Sequence, residues 1–366
     1  MGMTSFERGL IGLVTLAVIA GCVWWVGRDR RRYRKLVLVT LAATFVLVVL
    51  GAYVRLSDAG LGCPDWPGCY GNLTPAHSAT EIKAAEAVQP GGPVSLAKAW
   101  KEMGHRYLAM IVGALIAAIM FGAWRNRRAF EQSPGLATGL AMLVIFQAAL
   151  GAWTVTMLLK PAIVTAHLMG GMAIFALLAW LALRQESVRT TILAGQPGIG
   201  PGNTASAGIM RVFAAVALLV LIAQIVLGGW VSTNYAALAC ADFPTCQGMW
   251  MPEMQFSHAF HVIRPLGVGP DGQLLTLEAL RAIHWTHRVG ALVTALVLGG
   301  FATLLIRRGA GKLGGALLGL LALQIALGVA NVLGSLPLPL AVAHNGVAAL
   351  LLGWMMMINY RLNVNR

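Results

Sequence analysis

Residues 61–75 read LGCPDWPGCYGNLTP, and residues 238–252 read LACADFPTCQGMWMP. At an offset of 177, Cys63 falls on Cys240, Asp65 on Asp242, Pro67 on Pro244, Cys69 on Cys246, Gly71 on Gly248 and Pro75 on Pro252. The same offset of 177 joins QAALGAWTV at Gln147 to QIALGVANV at Gln324, and His167 in TAHLMGGMA to His344 in VAHNGVAAL. GHRYLA at 104–109 pairs with THRVGA at 286–291 at an offset of 182, so the loops differ slightly in length. The chain is a tandem duplication, and its two copies are expected to share one fold and one orientation.

What surrounds the two loops sets the class. Of 366 residues, 58% are hydrophobic and 11% charged, far outside the range of soluble domains. Nine runs are long and apolar enough to cross a bilayer: about 9–27, 36–54, 99–124, 136–158, 162–183, 211–231, 280–306, 313–333 and 341–360. No ten-residue alternating pattern occurs, so these are helices rather than barrel strands. The expected fold is an all-α integral membrane protein with two tandem four-helix bundles and one extra N-terminal transmembrane helix. Residues 1–35 hold the extra helix and a basic loop, 36–183 the first bundle, 184–210 a Gly/Ser/Thr/Pro-rich linker and 211–366 the second bundle. Parallel repeats of this kind usually meet about an axis along the membrane normal.

The net charge of +14 does not point to nucleic acid, because seventeen of the 27 basic residues sit in short segments on one side. They lie in RDRRRYRK at 28–35, in 125–128, 184–211 and 307–312, and at Arg361 and Arg366. The long loops 55–98 and 232–279 on the other side are poor in Lys and Arg. By the positive-inside rule the short loops are cytoplasmic, the cysteine loops face out, the N-terminus is outside and the C-terminus inside. That describes a multi-pass protein of the inner (plasma) membrane. IAGC at 19–22 resembles a lipoprotein cleavage site, but cleavage before Cys22 would leave VWWVG at 23–27, too short to span. The first helix therefore reads as uncleaved, with Cys22 a small buried hydrophobe.

On this topology four histidines stand roughly 6–11 Å below the outer surface at 1.5 Å per residue. His105 and His167 lie in the third and fifth helices, His287 and His344 in the seventh and ninth. Two imidazoles per bundle at one depth can flank a flat cofactor, and haem iron accepts axial His ligands. A single intramembrane His is often a hydrogen-bonded packing residue, but ionisable groups at this depth are costly and four in a duplicated pattern mark a site. Zinc fits less well, because the cysteines lie too far up to complete a tetrahedral set. His284 lies one turn before His287 and competes with it; the repeat favours His287.

The copies differ beside the candidate ligands. EMGHR at 102–106 matches HWTHR at 284–288, so Glu102 aligns with His284. A carboxylate three residues before His105 shares its helix face and would overhang a haem edge; otherwise it is an acid favoured near a helix N-terminus. Arg106 and Arg288 could pair with haem propionates or anchor at the interface. The five-residue spacing within each cysteine pair suits a structural bridge in an oxidising compartment, worth roughly 2–3 kcal/mol at most, or else a redox-active pair. Gln147, Gln324, Asn331 and the glycines read as helix-packing residues, and the Trp residues as an aromatic belt.

VRLSDAGLGCPDWPGC at 54–69, EMGHR at 102–106, TAHLMGG at 165–171, HWTHRVGA at 284–291 and AHNG at 343–346 together resemble the haem A synthase family. Their order spans nearly all of 36–360. The resemblance implies oxidation of the C8 methyl of haem O to a formyl, through two hydroxylations and loss of water, for terminal oxidases. It implies that His105 and His167 flank the haem O substrate and that Glu102 is the essential carboxylate. It further implies that His287 and His344 ligate a haem b cofactor (iron) for electron transfer, and that Cys63–Cys69 and Cys240–Cys246 are the paired outer cysteines. Haem O synthase is the implied haem donor and the cytochrome oxidase assembly machinery the implied setting. The electron donor is left unnamed, and a homo-oligomer stays open. The extra helix at 9–27 departs from an eight-helix pattern. Two rivals share the histidines: a di-haem b-type electron-transfer protein and a haem carrier without haem-modifying activity. The first needs neither Glu102 opposite His284 nor the cysteine loop in both copies, and the second predicts exchangeable haem with its chemistry unchanged.

Overall fold

A computed structural model describes residues 5–185 and 204–364. Among these residues there is no named strand, and nine helices are long and apolar enough to span a membrane. The chain divides into two compact units between Ala182 and Leu183. The inferred linker at 184–210 lies largely outside the described residues, which stop at 185 and resume at 204.

The first unit contains α1 (Ser5–Val26), α2 (Arg30–Leu56), a short α3 (Ala79–Val88), α4 (Leu96–Arg125), α5 (Gly135–Thr156) and α6 (Pro161–Arg184). The basic run read as a loop is largely the start of α2. Asp29 caps it, accepting the Arg31 and Arg32 N–H groups at 2.7 and 3.3 Å, so the arginines occupy its first turns. Helices two, four, five and six close a ring: α2 packs on α4 and α4 on α5. Phe45 of α2 meets Phe175 of α6 at 5.9 Å between ring centres, and Gln147 of α5 bonds the His167 carbonyl of α6.

One half of this ring is an apolar plug. Tyr33, Leu36, Val37, Ile116, Ile119, Leu140, Leu178 and Leu181 are all buried there. Tyr33 also donates to the Ile119 carbonyl at 3.3 Å, satisfying its hydroxyl among hydrocarbon. The extra helix α1 rests outside the ring against α2 and α4, with Val26 buried and Leu13, Leu16 and Trp24 exposed. Cys22 is half-buried on this seam rather than fully buried, because α1 meets its neighbours on one face only.

The second unit contains α7 (Thr204–Thr233), a single-turn α8 (Phe256–Ala259), α9 (Leu277–Arg307), α10 (Gly311–Leu333) and α11 (Leu338–Val364). Here α7 packs on α9, α9 on α10, α10 on α11 and α11 back on α7, the same ring. Its plug includes Ala214, Ala217, Leu298, Phe301, Leu305, Leu317 and Met355. The helices of both units overrun the apolar stretches by up to seven residues, as at Thr204 for α7, because polar first and last turns still satisfy their backbone helically.

Candidate active site

The opposite half of each ring carries the polar residues, and the cysteine loop closes over it. Ser95 starts α4 by accepting the Lys98 N–H at 3.3 Å, and Thr276 starts α9 by accepting the Ala279 N–H at 3.2 Å. His105 is the tenth residue of α4, His167 the seventh of α6, His287 the eleventh of α9 and His344 the seventh of α11. At 1.5 Å per residue they lie about 9–15 Å along their helices. That is somewhat deeper than the sequence suggested, since the helices begin earlier.

Each loop is built the same way. Cys63 and Cys69 are disulfide-bonded, as are Cys240 and Cys246, and all four are buried. Cys69 and Asn72 exchange backbone hydrogen bonds around Tyr70 (φ 50°) and Gly71 (φ 75°). Cys246 and Met249 do so around Gln247 (φ 55°) and Gly248 (φ 74°). Two successive positive-φ residues make the tight turn that needs glycine at its second place. Asp65 accepts the Tyr70 and Gly71 N–H groups, both at 2.7 Å. Asp242 accepts those of Gln247 and Gly248, at 2.5 and 2.9 Å. The Thr245 hydroxyl, then these N–H groups, hold the Asp242 carboxyl well below the usual carboxylate range. Burial, with Asp65 nearby, raises the Tyr70 phenol.

An arginine from the helix fastens each loop. Arg106 Nη1 donates to the carbonyls of Asp65, Pro67 and Gly68 at 2.9, 3.3 and 2.5 Å. Arg288 donates to those of Thr245 and Cys240 at 2.7 and 2.9 Å. Thr245 and Cys240 are the 177-offset counterparts of Gly68 and Cys63. Both arginines thus bond loop carbonyls and a residue one turn earlier on their own helix; Arg288 also lies over the Phe243 ring, and Arg106 reaches the Met103 sulfur.

That earlier residue separates the copies. Glu102 is 5% exposed, and its two oxygens do different things. Oε1 accepts from Arg106 Nη2 at 2.5 Å, and Oε2 accepts the backbone N–H of Cys63 at 2.8 Å. The carboxylate therefore ties α4 to the disulfide itself. In the second copy His284, 4% exposed, accepts from Arg288 Nε at 3.3 Å. The loop can come this close to α4 because residue 62 is glycine: a Cβ there would lie 2.6 Å from the Lys98 carbonyl carbon.

The four histidines share a seat that the sequence reading passed over. A Cβ on Gly51 would lie 3.1 Å from His105 Nε2, and one on Gly151 3.2 Å from His167 Cε1. A Cβ on Gly228 would lie 3.1 Å from His287 Cε1, and one on Gly328 3.1 Å from His344 Cε1. Gly51 and Gly228 fall in VLGAYV and VLGGWV, again 177 apart, as are Gly151 and Gly328. His287, not His284, thus occupies the station of His105. Glutamines add a second layer. Gln147 reaches the His167 carbonyl, Gln324 lies 3.2 Å from His344 Nε2, and Gln224 lies 3.0 Å from both His287 Nδ1 and its carbonyl.

These residues fit a haem. The His105 and His167 ring centres are 6.4 Å apart with planes at 63°. Two imidazoles each bonded at about 2 Å to one metal between them have centres about 6 Å apart. His167 Nδ1 and His344 Nδ1 are buried without a hydrogen-bond partner, an arrangement that asks for one. Among the described residues no three His, Cys, Asp or Glu side chains group to hold a bare metal ion. Haem brings its own equatorial nitrogens and needs only two imidazoles.

The family model described as Cytochrome oxidase assembly protein matches residues 34–356. The chain belongs to that family. It is 41% identical over 323 residues to the heme A synthase of Shewanella oneidensis, covering 88% of this chain and 94% of that protein. The heme A synthase of Rhizorhabdus wittichii is 27% identical over 333 residues, covering 86% and 89%. That of Halalkalibacterium halodurans is 28% identical over 258 residues, covering 68% and 75%. The family match begins at residue 34, so α1 lies outside it while Glu102, the four histidines and both cysteine loops lie within.

Proposed function

We propose that this chain is a haem A synthase, a membrane oxidoreductase that converts haem O to haem A by oxidising the C8 methyl to a formyl. His105 and His167 hold the haem O substrate in the first bundle, and His287 and His344 hold a resident haem b in the second. Bound haem iron supplies the redox chemistry that no side chain here possesses. The observation that carries this reading is Glu102, a buried carboxylate fixed at both oxygens and three residues from His105. A carboxylate so placed takes or delivers the protons of the oxidation. Arg106 balances its charge and binds the loop, so one guanidinium keeps the acid buried and the lid closed. Haem propionates are then met by whatever N–H groups Arg106 and Arg288 keep beyond the loop carbonyls.

The same reading places the protein in the plasma membrane, with the cysteine loops and N-terminus outside and the C-terminus in the cytoplasm. Haem O synthase is the supplier of substrate, and cytochrome oxidase assembly the setting in which the product is used. The two bundles take 36–183 and 211–366.

The test is chromatography of haems extracted from the purified protein, co-expressed with a haem O synthase, for wild type and Glu102→Gln. Haem B with haem A or a hydroxylated haem is expected in the wild type, with haem O accumulating in the variant. General acid–base roles of this kind contribute roughly 10²–10⁴-fold. Haem B alone in both, with haem O supply confirmed, would leave an electron-transfer protein or a haem carrier instead.

A further inference from the structure

Three of the four histidines have a glutamine within hydrogen-bonding distance, and the exception is His105. Gln224 lies on α7 one turn before Gly228, the glycine under His287. Its counterpart at an offset of 177, one turn before Gly51, is Leu47. Leu47 is packed instead against the apolar plug of the first unit. The other two glutamines, Gln147 and Gln324, are the same residue in both copies. The repeat is thus broken at one of the two glutamine places, and the break falls on the ring that shares α4 with Glu102.

We propose that Gln224 is a positioning residue that makes the second haem site a retained one, and that Leu47 leaves His105 loose so that the first site can release its haem. This rests on the reading that the first bundle holds substrate and the second a cofactor.

The chemistry runs as follows. An imidazole that ligates through one nitrogen is oriented by the hydrogen bond its other nitrogen makes, and losing such a partner typically weakens binding 10- to 100-fold. Gln224 engages Nδ1 of His287 and the backbone of the same residue, which leaves Nε2 as the ligating atom. The amide also adapts. With Nε2 as the ligating atom Nδ1 carries the ring proton, so the amide turns to present Oε1, which has no other partner, to that Nδ1–H and gives up its bond to the His287 carbonyl. A leucine cannot. A substrate site must let its haem leave after turnover, whereas a cofactor site gains from slow release.

The test uses full-length protein co-expressed with a haem O synthase: wild type, Gln224→Leu, Gln224→Glu, Leu47→Gln and His287→Ala. Two quantities are measured: the rate at which each haem passes to excess apo-globin, and the reduction potential of the haem b. Gln224→Leu is expected to lose haem B 10- to 100-fold faster and to shift the potential upward, since a ligand without an acceptor at Nδ1 donates less to the iron. Gln224→Glu keeps haem B at the wild-type rate and shifts the potential downward. Leu47→Gln slows release of the haem from the first bundle. Wild-type retention and potential in Gln224→Leu overturn the proposal. If that variant does not fold, an unchanged potential in Gln224→Glu together with unchanged release in Leu47→Gln overturns it. His287→Ala with undiminished haem B would instead remove the haem b assignment, a separate failure.

Discussion

Replacing Gly62 with alanine tests whether the cysteine loop positions the carboxylate or merely covers it. The added Cβ would stand 2.6, 2.7 and 2.8 Å from Lys98 C, Ala99 N and Lys98 O. All three are backbone atoms of α4, so no side chain can swing aside. Ordinary contact begins near 3.5 Å, so the loop must retreat by about 1 Å. The next residue is Cys63, whose N–H lies 2.8 Å from Glu102 Oε2. A retreat of that size carries it out of hydrogen-bond range. Losing a hydrogen bond to a charged buried group costs about 1.5–3 kcal/mol. If that bond holds Glu102 for reaction, haem A formation falls roughly 10- to 150-fold. The assay is haem A per mole of purified protein, with bound haem B as the internal control. Ala239, the counterpart in the second loop, already carries a Cβ. Ala239→Gly is therefore expected to leave haem A unchanged. Wild-type haem A in Gly62→Ala, with the protein folded and haem B at its usual level, would refute the reasoning.

The histidine seats and the loop turn give two further expectations. Gly228→Ala puts a Cβ 3.1 Å from His287 Cε1, and Gly51→Ala puts one 3.1 Å from His105 Nε2, so each ring must shift. The first is expected to lower bound haem B, and the second bound haem O and haem A alone, each roughly tenfold; the extracted haem ratio separates them. In Asp242 the folded-state carboxyl is depressed, so its contribution is complete above the usual carboxylate range and is lost only as pH falls through the lowered value. Asp242→Asn should make the 240–249 loop more readily cleaved by protease at neutral pH, with wild type and variant converging only in strong acid.

The nine spans and the duplicated scaffold were legible because apolar length and a constant offset are properties of the chain itself. Helix ends were less so: the apolar run alone hides that Asp29 caps α2 and draws the arginines into it. Gly51 and Gly228 carried a signal, since VLGAYV and VLGGWV stand at the common offset, yet nothing in a single sequence says that a glycine faces an imidazole. The partners of Glu102 were beyond reach for another reason. Cys63 is 39 residues away, and the contact is to a backbone N–H that every non-proline residue possesses. Gln224 falls on Leu47 at the common offset, but nothing in the sequence says that either side chain stands beside an imidazole.

Those unshared residues decide what each copy can do. Glycine seats, disulfides, aspartate turns and arginine fasteners recur in both, so they support a haem-sized site and do not choose its chemistry. At the position that differs, a carboxylate has two oxygens and bridges the helix arginine to the loop backbone at once. An imidazole at the same place offers one acceptor nitrogen, and Arg288 already occupies it in the second copy. His284 therefore cannot hold its loop by accepting the counterpart N–H, and Arg288 does so through the Cys240 carbonyl instead. Gly62 against Ala239 fits the same division, since only the first loop must lie close enough to α4 for that backbone bond. Leu47 against Gln224 is a further unshared pair, the glutamine beside His287 and the leucine on the apolar plug. Changing His284 to glutamate alone would leave Ala239 in place, so a carboxylate there would lack the close loop.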